Sequence, residues 1–184
     1  MRLLATVWTI AALVAAPVFA QSGNPAFMTP DTGPQQPNNA DRVFVHAAAI
    51  GGMAEVELGK LAQQKGQSDA VKDFARRMVE DHSKANDRLI GLAKEDGIAV
   101  PEELDAEHKA MRDRLEALSG AEFDLAYIQG QVKDHQKTAQ LLEHEIGSGQ
   151  DVELKSFASE ILPVVLGHLE MAQSIEAEMT GKAS

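Results

Sequence analysis

Apolar residues recur at intervals of three and four from about residue 41 to residue 178, the spacing of one face of an α-helix. The pattern divides into four long segments, at residues 41–64, 69–95, 119–147 and 151–178. Ser68 precedes the second segment as a helix-capping residue, and Ser119 with Glu122 forms a capping-box pattern before the third. The pattern therefore predicts an all-α chain with four long helices.

The connections between these segments predict the topology. Few residues join the first helix to the second and the third to the fourth, so each pair is expected to be an antiparallel hairpin. Residues 97–120 separate the second and third helices and carry a short amphipathic stretch, residues 102–118. Each long helix is about 39 Å long. The connection offers about 20 Å of extended chain and about 20 Å of helix, so it can run from one end of the bundle to the other. Two hairpins with one long crossover make a ferritin-like four-helix bundle; an up-down-up-down bundle with a decorated loop is the alternative.

The ends of the chain have a different character from this helical part. Residues 1–20 begin with Arg2, continue with an apolar run and end in Val18-Phe19-Ala20, which is typical of a signal peptide cleaved after Ala20. Residues 21–40 are rich in Pro, Gly, Asn and Gln and predict a disordered leader. We therefore expect a periplasmic or otherwise exported protein, with a helical domain at residues 41–178 and a tail at 179–184.

Charge and residue content narrow the classes of partner. The chain has 28 acidic and 17 basic residues, a formal net charge of −11, and loss of Arg2 leaves 28 against 16, or −12. An acidic chain repels nucleic acid and anionic lipid, so neither is expected as a partner. The absence of Cys excludes thiol chemistry, and no segment after the signal region is apolar enough to span a membrane. An envelope partner and an oligomer are both compatible with the sequence.

Histidine lies on the apolar seam of three of the four helices. His82, His135 and His168 occupy seam positions near the middle of the second, third and fourth helices, and Glu57 lies on the apolar stripe of the first. Mid-helix positions meet at one level in an antiparallel bundle, so these four side chains are expected to converge. Unpaired buried polar groups cost several kcal/mol, and three imidazoles with a carboxylate suit Zn, Cu, Fe or Mn. A metal-free polar core, in which the histidines pair with Glu57 or only border the core, is the alternative.

Methionine and proline lie near these positions as well. The seam methionines Met53, Met78 and Met171 suit copper as thioether ligands, or simply fill the core. Pro163 interrupts the hydrogen bonding of the fourth helix and predicts a bend or a break there. His108 and His144 fall off the seams and are expected to face solvent.

Several short motifs resemble a known family, the exported ferritin-like domain of unknown function numbered 4142. The resemblance covers residues 41–178 and rests on Phe44-Val45, the run Gly52–Gly59, Phe74-Ala75 with Met78, the run Asp81–Asn86, and Asp134-His135. It implies a ferritin-like bundle in a bacterial envelope protein and implies no established activity.

The chain departs from the di-iron pattern of catalytic ferritin-like proteins. That pattern needs Glu-x-x-His on two helices and a Glu on each of the others, whereas Val79, Val132 and Val165 stand three residues before the seam histidines. No nucleophile motif or nucleotide fingerprint is present. We therefore expect a non-enzymatic binding or envelope stress-related role. A metal-binding protein is the alternative, and a metal or peroxide oxidase is a weaker one.

Overall fold

Five helices make up the part of the chain that the structure, a computed structural model, describes, residues 36–181. They are α1 Asn39–Lys65, α2 Asp69–Glu95, α3 Ala106–Glu116, α4 Gly120–Ser148 and α5 Val152–Thr180, and no strand occurs among these residues. The predicted all-α class is confirmed. The predicted signal peptide at residues 1–20, most of the leader and the last three residues of the tail lie outside the described residues.

Capping side chains explain where the helices begin. The Ser68 hydroxyl accepts from the backbone N–H of Val71 at 3.2 Å, as predicted for α2. Asn38 and Asp41 form a reciprocal capping box, so α1 starts at Asn39, two residues earlier than predicted. The capping box predicted at Ser119 is wrong, since that side chain makes no capping hydrogen bond. The next residue, Gly120, has a positive φ of 60°, a left-handed conformation that favours glycine.

Hydrogen bonds at both ends of the molecule fix the helix directions. The Asp124 carboxylate, in the first turn of α4, accepts from the backbone N–H groups of Gln67 and Ser68 in the α1–α2 turn, at 2.9 and 2.8 Å. At the opposite end, Asp41 in the first turn of α1 accepts from the N–H groups of Gln150 and Asp151 in the α4–α5 turn. Therefore α4 runs antiparallel to α1 and parallel to α2. The connection from α2 to α4, which carries α3, runs the length of the long helices.

Two apolar clusters fill the interior, one towards each end. Helix α1 packs against α2 and α4, and α5 packs against the same two helices. Along α2, Phe74 and Met78 belong to one cluster and Leu89 and Ala93 to the other. His82 lies between the two sets, and the clusters divide in the same way around His135 on α4 and His168 on α5. The middle of the core is therefore a polar layer between two apolar ones.

Helix α5 runs unbroken through Pro163, from Val152 to Thr180. The proline is exposed, as is Ser159, whose carbonyl group loses its N–H partner, and the helix is not split. None of the helices among residues 36–181 is long and apolar enough to cross a membrane.

Candidate metal centre

Three histidines from three helices meet in the polar layer. One ring nitrogen from each of His82, His135 and His168 lies within 4.8 Å of the other two. The ring centroids form a nearly equilateral triangle, with sides of 5.5, 5.5 and 5.4 Å. The structure therefore brings together all three histidines that the seam pattern selected.

The cluster is shielded from solvent. His135 and His168 are 1 and 2% exposed, and His82 is 9% exposed. Burial penalises the charged imidazolium, and it lowers the pKa of His82 to about 3 and that of His135 to about 4. The pKa of His168 is lowered for the same reason, although its contact with Asp81 opposes the shift. All three rings are therefore neutral near pH 7, the form in which imidazole binds metal ions.

Oxygen atoms outside the triangle orient two of the three rings. His135 Nδ1 lies 3.0 Å from the carbonyl oxygen of Gln131, one turn earlier on α4. His168 Nε2 lies 3.0 Å from Oδ2 of Asp81 on α2. Since carbonyl and carboxylate oxygens only accept, these nitrogens carry the protons and the opposite nitrogens carry free lone pairs. Histidines that bind metals are held in this way by a carboxylate or a backbone carbonyl.

The remaining nitrogens lack partners. His82 Nε2, His135 Nε2 and His168 Nδ1 are buried and have no hydrogen-bond partner among residues 36–181. A buried polar atom without a partner costs about 1–3 kcal/mol. Three such atoms within one small region point to a ligand that would accept all three lone pairs, and a cation does so.

Glu57 does not join the cluster, and the predicted convergence of four groups is wrong in this one member. Its side chain is exposed and lies 3.6 Å from the guanidinium group of Arg112 on α3. The buried carboxyl is that of Glu55, 6% exposed. Its Oε1 atom lies 3.6 Å from His135 Nδ1, and its Oε2 atom has no hydrogen-bond partner in the described part of the chain. Burial raises the pKa of Glu55 to about 8, with hydrogen bonding to Gln131 opposing the shift.

Small residues explain why the sequence selected the wrong face of α1. A Cβ atom on Gly59 would lie 2.8 Å from Cγ2 of Val79, so α1 and α2 approach each other closely along this stripe. A stripe chosen by bulky apolar residues passes through Glu57, whereas the buried face includes Gly52, Glu55 and Gly59. Gly52 and Gly59, seven residues apart on either side of Glu55, are the sequence signal that indicates this buried face.

Buried polar residues surround His135 as well. Gln131 and Tyr127, one and two turns before it on α4, are 1 and 0% exposed. The Tyr127 hydroxyl and Gln131 Oε1 have no hydrogen-bond partner among the described residues. Their spacing of four from His135 places all three residues on the same face of α4, which is the signal that the sequence offers.

The methionines of the predicted seams occupy different surroundings. Met78 is fully buried in the apolar cluster one turn before His82. The sulfur of Met171 lies 3.5 Å from a guanidinium nitrogen of the exposed Arg77, and Met53 is partly buried. Coordination of copper by these thioethers stays a prediction.

Comparison with known proteins adds a family and a set of similar folds. A family model described as Domain of unknown function (DUF4142) matches residues 26–175. None of the curated protein sequences matches the chain. The fold is similar to that of a DUF305 fragment from Deinococcus radiodurans, with a TM-score of 0.70 and 12% identity over 78% of this chain and 99% of that one.

Two further solved structures share the fold. A secreted DUF305 protein from Streptomyces coelicolor aligns with a TM-score of 0.66 and 14% identity, covering 77% of this chain and 94% of that one. CopM in its Cu(I)-bound form aligns with a TM-score of 0.64 and 14% identity, covering 75% of this chain and 96% of that one. At these identities the likeness concerns the fold alone.

Proposed function

The chain belongs to the DUF4142 family, and we propose that it is a metal-binding protein that holds one transition-metal ion between His82, His135 and His168. The ligand atoms are the three inward nitrogens, Nε2 of His82, Nε2 of His135 and Nδ1 of His168. The observation that carries this proposal is the set of three buried, unpartnered ring nitrogens, two of them on rings whose other nitrogen is held from outside by an oxygen atom.

The spacing of the rings supports a three-histidine centre, since one nitrogen from each ring lies within 4.8 Å of the other two. Three atoms separated by at most 4.8 Å lie at most about 2.8 Å from their common centre, whereas Zn–N(His) bonds are about 2.0–2.1 Å long. Each ring therefore needs to move inward by no more than about 0.8 Å, which side-chain rotation supplies without a change of fold.

The donor set favours copper or zinc. Imidazole nitrogen suits both ions, and a set of three leaves a fourth position open on zinc or gives a three-coordinate copper site. Structures of CopM with Cu(I) and with silver share this fold, so copper is the first ion to test. The second is zinc.

Storage or transfer of the ion, rather than catalysis, is the role that the residues favour. A di-iron centre needs carboxylates from all four helices, whereas the carboxyl groups near the three rings among residues 36–181, those of Glu55, Asp81 and Asp134, come from α1, α2 and α4 and none from α5. We extend the proposal to a ferritin-like four-helix bundle, formed by α1, α2, α4 and α5 with α3 on the crossover, and to an exported location. The helix directions support the first and the signal-peptide pattern of residues 1–20 the second.

Equilibrium competition with a chromophoric chelator tests the proposal. The purified chain is titrated with Cu(I), under reducing conditions, and with Zn²⁺, in parallel with the variants His135→Leu and His144→Gln. We expect one tightly bound ion per chain, loss of at least 100-fold in affinity in His135→Leu, and no change in His144→Gln, whose side chain is exposed on α4. The metal-free alternative predicts no binding of either ion at micromolar concentrations, and that result would refute the proposal.

A further inference from the structure

A cavity of about 440 Å³, the outer cavity, lies between α1, α3 and α4 and has Glu55 in its wall. Polar side chains from all three elements line it, namely His46, Glu55, Asp105, Glu107, His108, Asp134 and Lys137. Four of these are carboxyl groups and one is an amine. The amine of Lys137 lies 2.7 Å from Glu107, which leaves an excess of acidic groups. A cleft lined by one sign of charge concentrates ions of the opposite sign, here cations.

His108 is held in the cavity wall in the same manner as the histidines of the metal centre. Its Nδ1 atom lies 2.7 Å from the Asp105 carboxylate, and its side chain is only 18% exposed. The expectation that His108 faces solvent is therefore wrong. The carboxylate accepts the Nδ1 proton and leaves the Nε2 lone pair free for a cation.

Glu55 connects this outer cavity to the metal centre. A smaller inner cavity of about 50 Å³ has His82 in its wall, and the two cavities share Gly51, Glu55 and Thr138. Glu55 is nine-tenths buried, and its Oε2 atom has no hydrogen-bond partner among residues 36–181. An unpartnered carboxyl oxygen thus stands where the outer cavity meets the inner one.

We propose that the outer cavity is the route by which a transition-metal cation reaches the three histidines, with Glu55 as an oxygen ligand at the junction of the two cavities. This proposal rests on the proposed function, since it requires that the three histidines bind the ion. The acidic wall draws the hydrated cation in, His108 offers a first nitrogen ligand, and Glu55 takes the ion before it reaches His82. A buried triad without such a route would load only when the helices separate.

A steric block at the junction gives the sharpest test. A Cβ atom on Gly51 would meet no atom within 4 Å, so Gly51→Leu places a side chain in open space beside Glu55. Gly91→Leu is the matched control, because Gly91 is also helical and has the same open surroundings but lies in the wall of neither cavity. Stopped-flow uptake of Zn²⁺ from a fast-exchanging indicator should be at least tenfold slower in Gly51→Leu and unchanged in Gly91→Leu, with one ion bound per chain at equilibrium in both.

A charge variant gives a second, independent measurement. Glu55→Gln replaces the carboxyl group at the junction by an amide that cannot ionise to bind a cation, and Glu143→Gln makes the same replacement on the exposed face of α4. We expect slower uptake in the first and wild-type uptake in the second. If Gly51→Leu loads as fast as Gly91→Leu, or if Glu55→Gln changes the affinity but not the uptake rate, the route is refuted. Circular dichroism of each variant serves as the control for folding.

The two proposals fail in different ways. If the wild-type chain binds no ion, or if His135→Leu binds as tightly as the wild type, the three-histidine centre itself is refuted. If binding requires His135 but Gly51→Leu loads normally, the centre stands and only the route is refuted.

Discussion

Replacement of His82 by leucine should stabilise the metal-free protein, and increasingly so as the pH falls. His82 is the clearest of the three histidines for this purpose, because its Nε2 atom is buried without a hydrogen-bond partner among the described residues and burial lowers its pKa to about 3. Leucine fills a similar space between the two apolar clusters and leaves no polar atom buried.

The magnitude has two parts. Near pH 7.5 the variant avoids about 1–3 kcal/mol for the unpartnered nitrogen and loses up to about 1.5 kcal/mol through imperfect packing, a net change between a loss of about 0.5 and a gain of about 3 kcal/mol. The second part comes from protons. Burial lowers the pKa of His82 to about 3 in the folded protein, against an ordinary value of 6.5. Between these two pH values the unfolded wild-type chain binds a proton at His82 and the folded chain does not. The free energy of unfolding of the wild type therefore decreases as the pH decreases. At pH 5.0 this proton binding adds about 2 kcal/mol to the stability of His82→Leu relative to the wild type.

Urea unfolding followed by far-ultraviolet circular dichroism, with a chelator present, measures both parts. The wild type, His82→Leu and the control Met78→Leu are compared at pH 7.5 and pH 5.0. Met78 is also buried, one turn away, but it does not titrate, so the effect of its replacement should be the same at both pH values. A difference between His82→Leu and wild type that stays constant between pH 7.5 and pH 5.0 would refute the assignment of His82 as a buried neutral ring.

Two further predictions concern the surroundings of the centre. Asp81→Asn should weaken metal binding by about 10–100-fold with little change in helicity, because the carboxylate that orients His168 is lost; an unchanged dissociation constant in the chelator assay would contradict this. Gly59→Ala should destabilise the protein by about 1–3 kcal/mol in urea unfolding, since the new Cβ lies 2.8 Å from Val79. Gly91→Ala, in open surroundings, should instead stabilise it by about 0.5–1 kcal/mol, and equal effects of the two would refute the close packing of α1 on α2.

The sequence was sufficient to select the three histidines because their position follows from helical period and length alone. Each lies on an apolar seam near the middle of a long helix, and mid-helix positions meet at one level in antiparallel packing. The same argument chose Glu57 on α1, where it is wrong. Its basis was the size of apolar side chains, and on α1 the buried face is set by glycines that allow close approach.

The period and length of single helices do not predict contacts between side chains on different helices. Asp81 adjoins His82 in the sequence, yet its carboxylate orients His168 on another helix. That pairing depends on the rotation of α2 and α5 relative to each other, which no single-helix pattern encodes. The outer cavity was missed for the same reason, since His46 and His108 come together there only through the path of the crossover.

X-ray absorption spectroscopy of the metal-loaded chain tests the central claim most directly, because it reports the atoms bound to the ion. With one equivalent of zinc, the account predicts a shell of nitrogen or oxygen donors at about 2.0–2.1 Å with the outer-shell scattering of three imidazoles. His135→Leu should abolish that signature. A first shell dominated by sulfur at about 2.3 Å, or one made of oxygen alone without imidazole scattering, would show that the ion is bound elsewhere and would contradict the account.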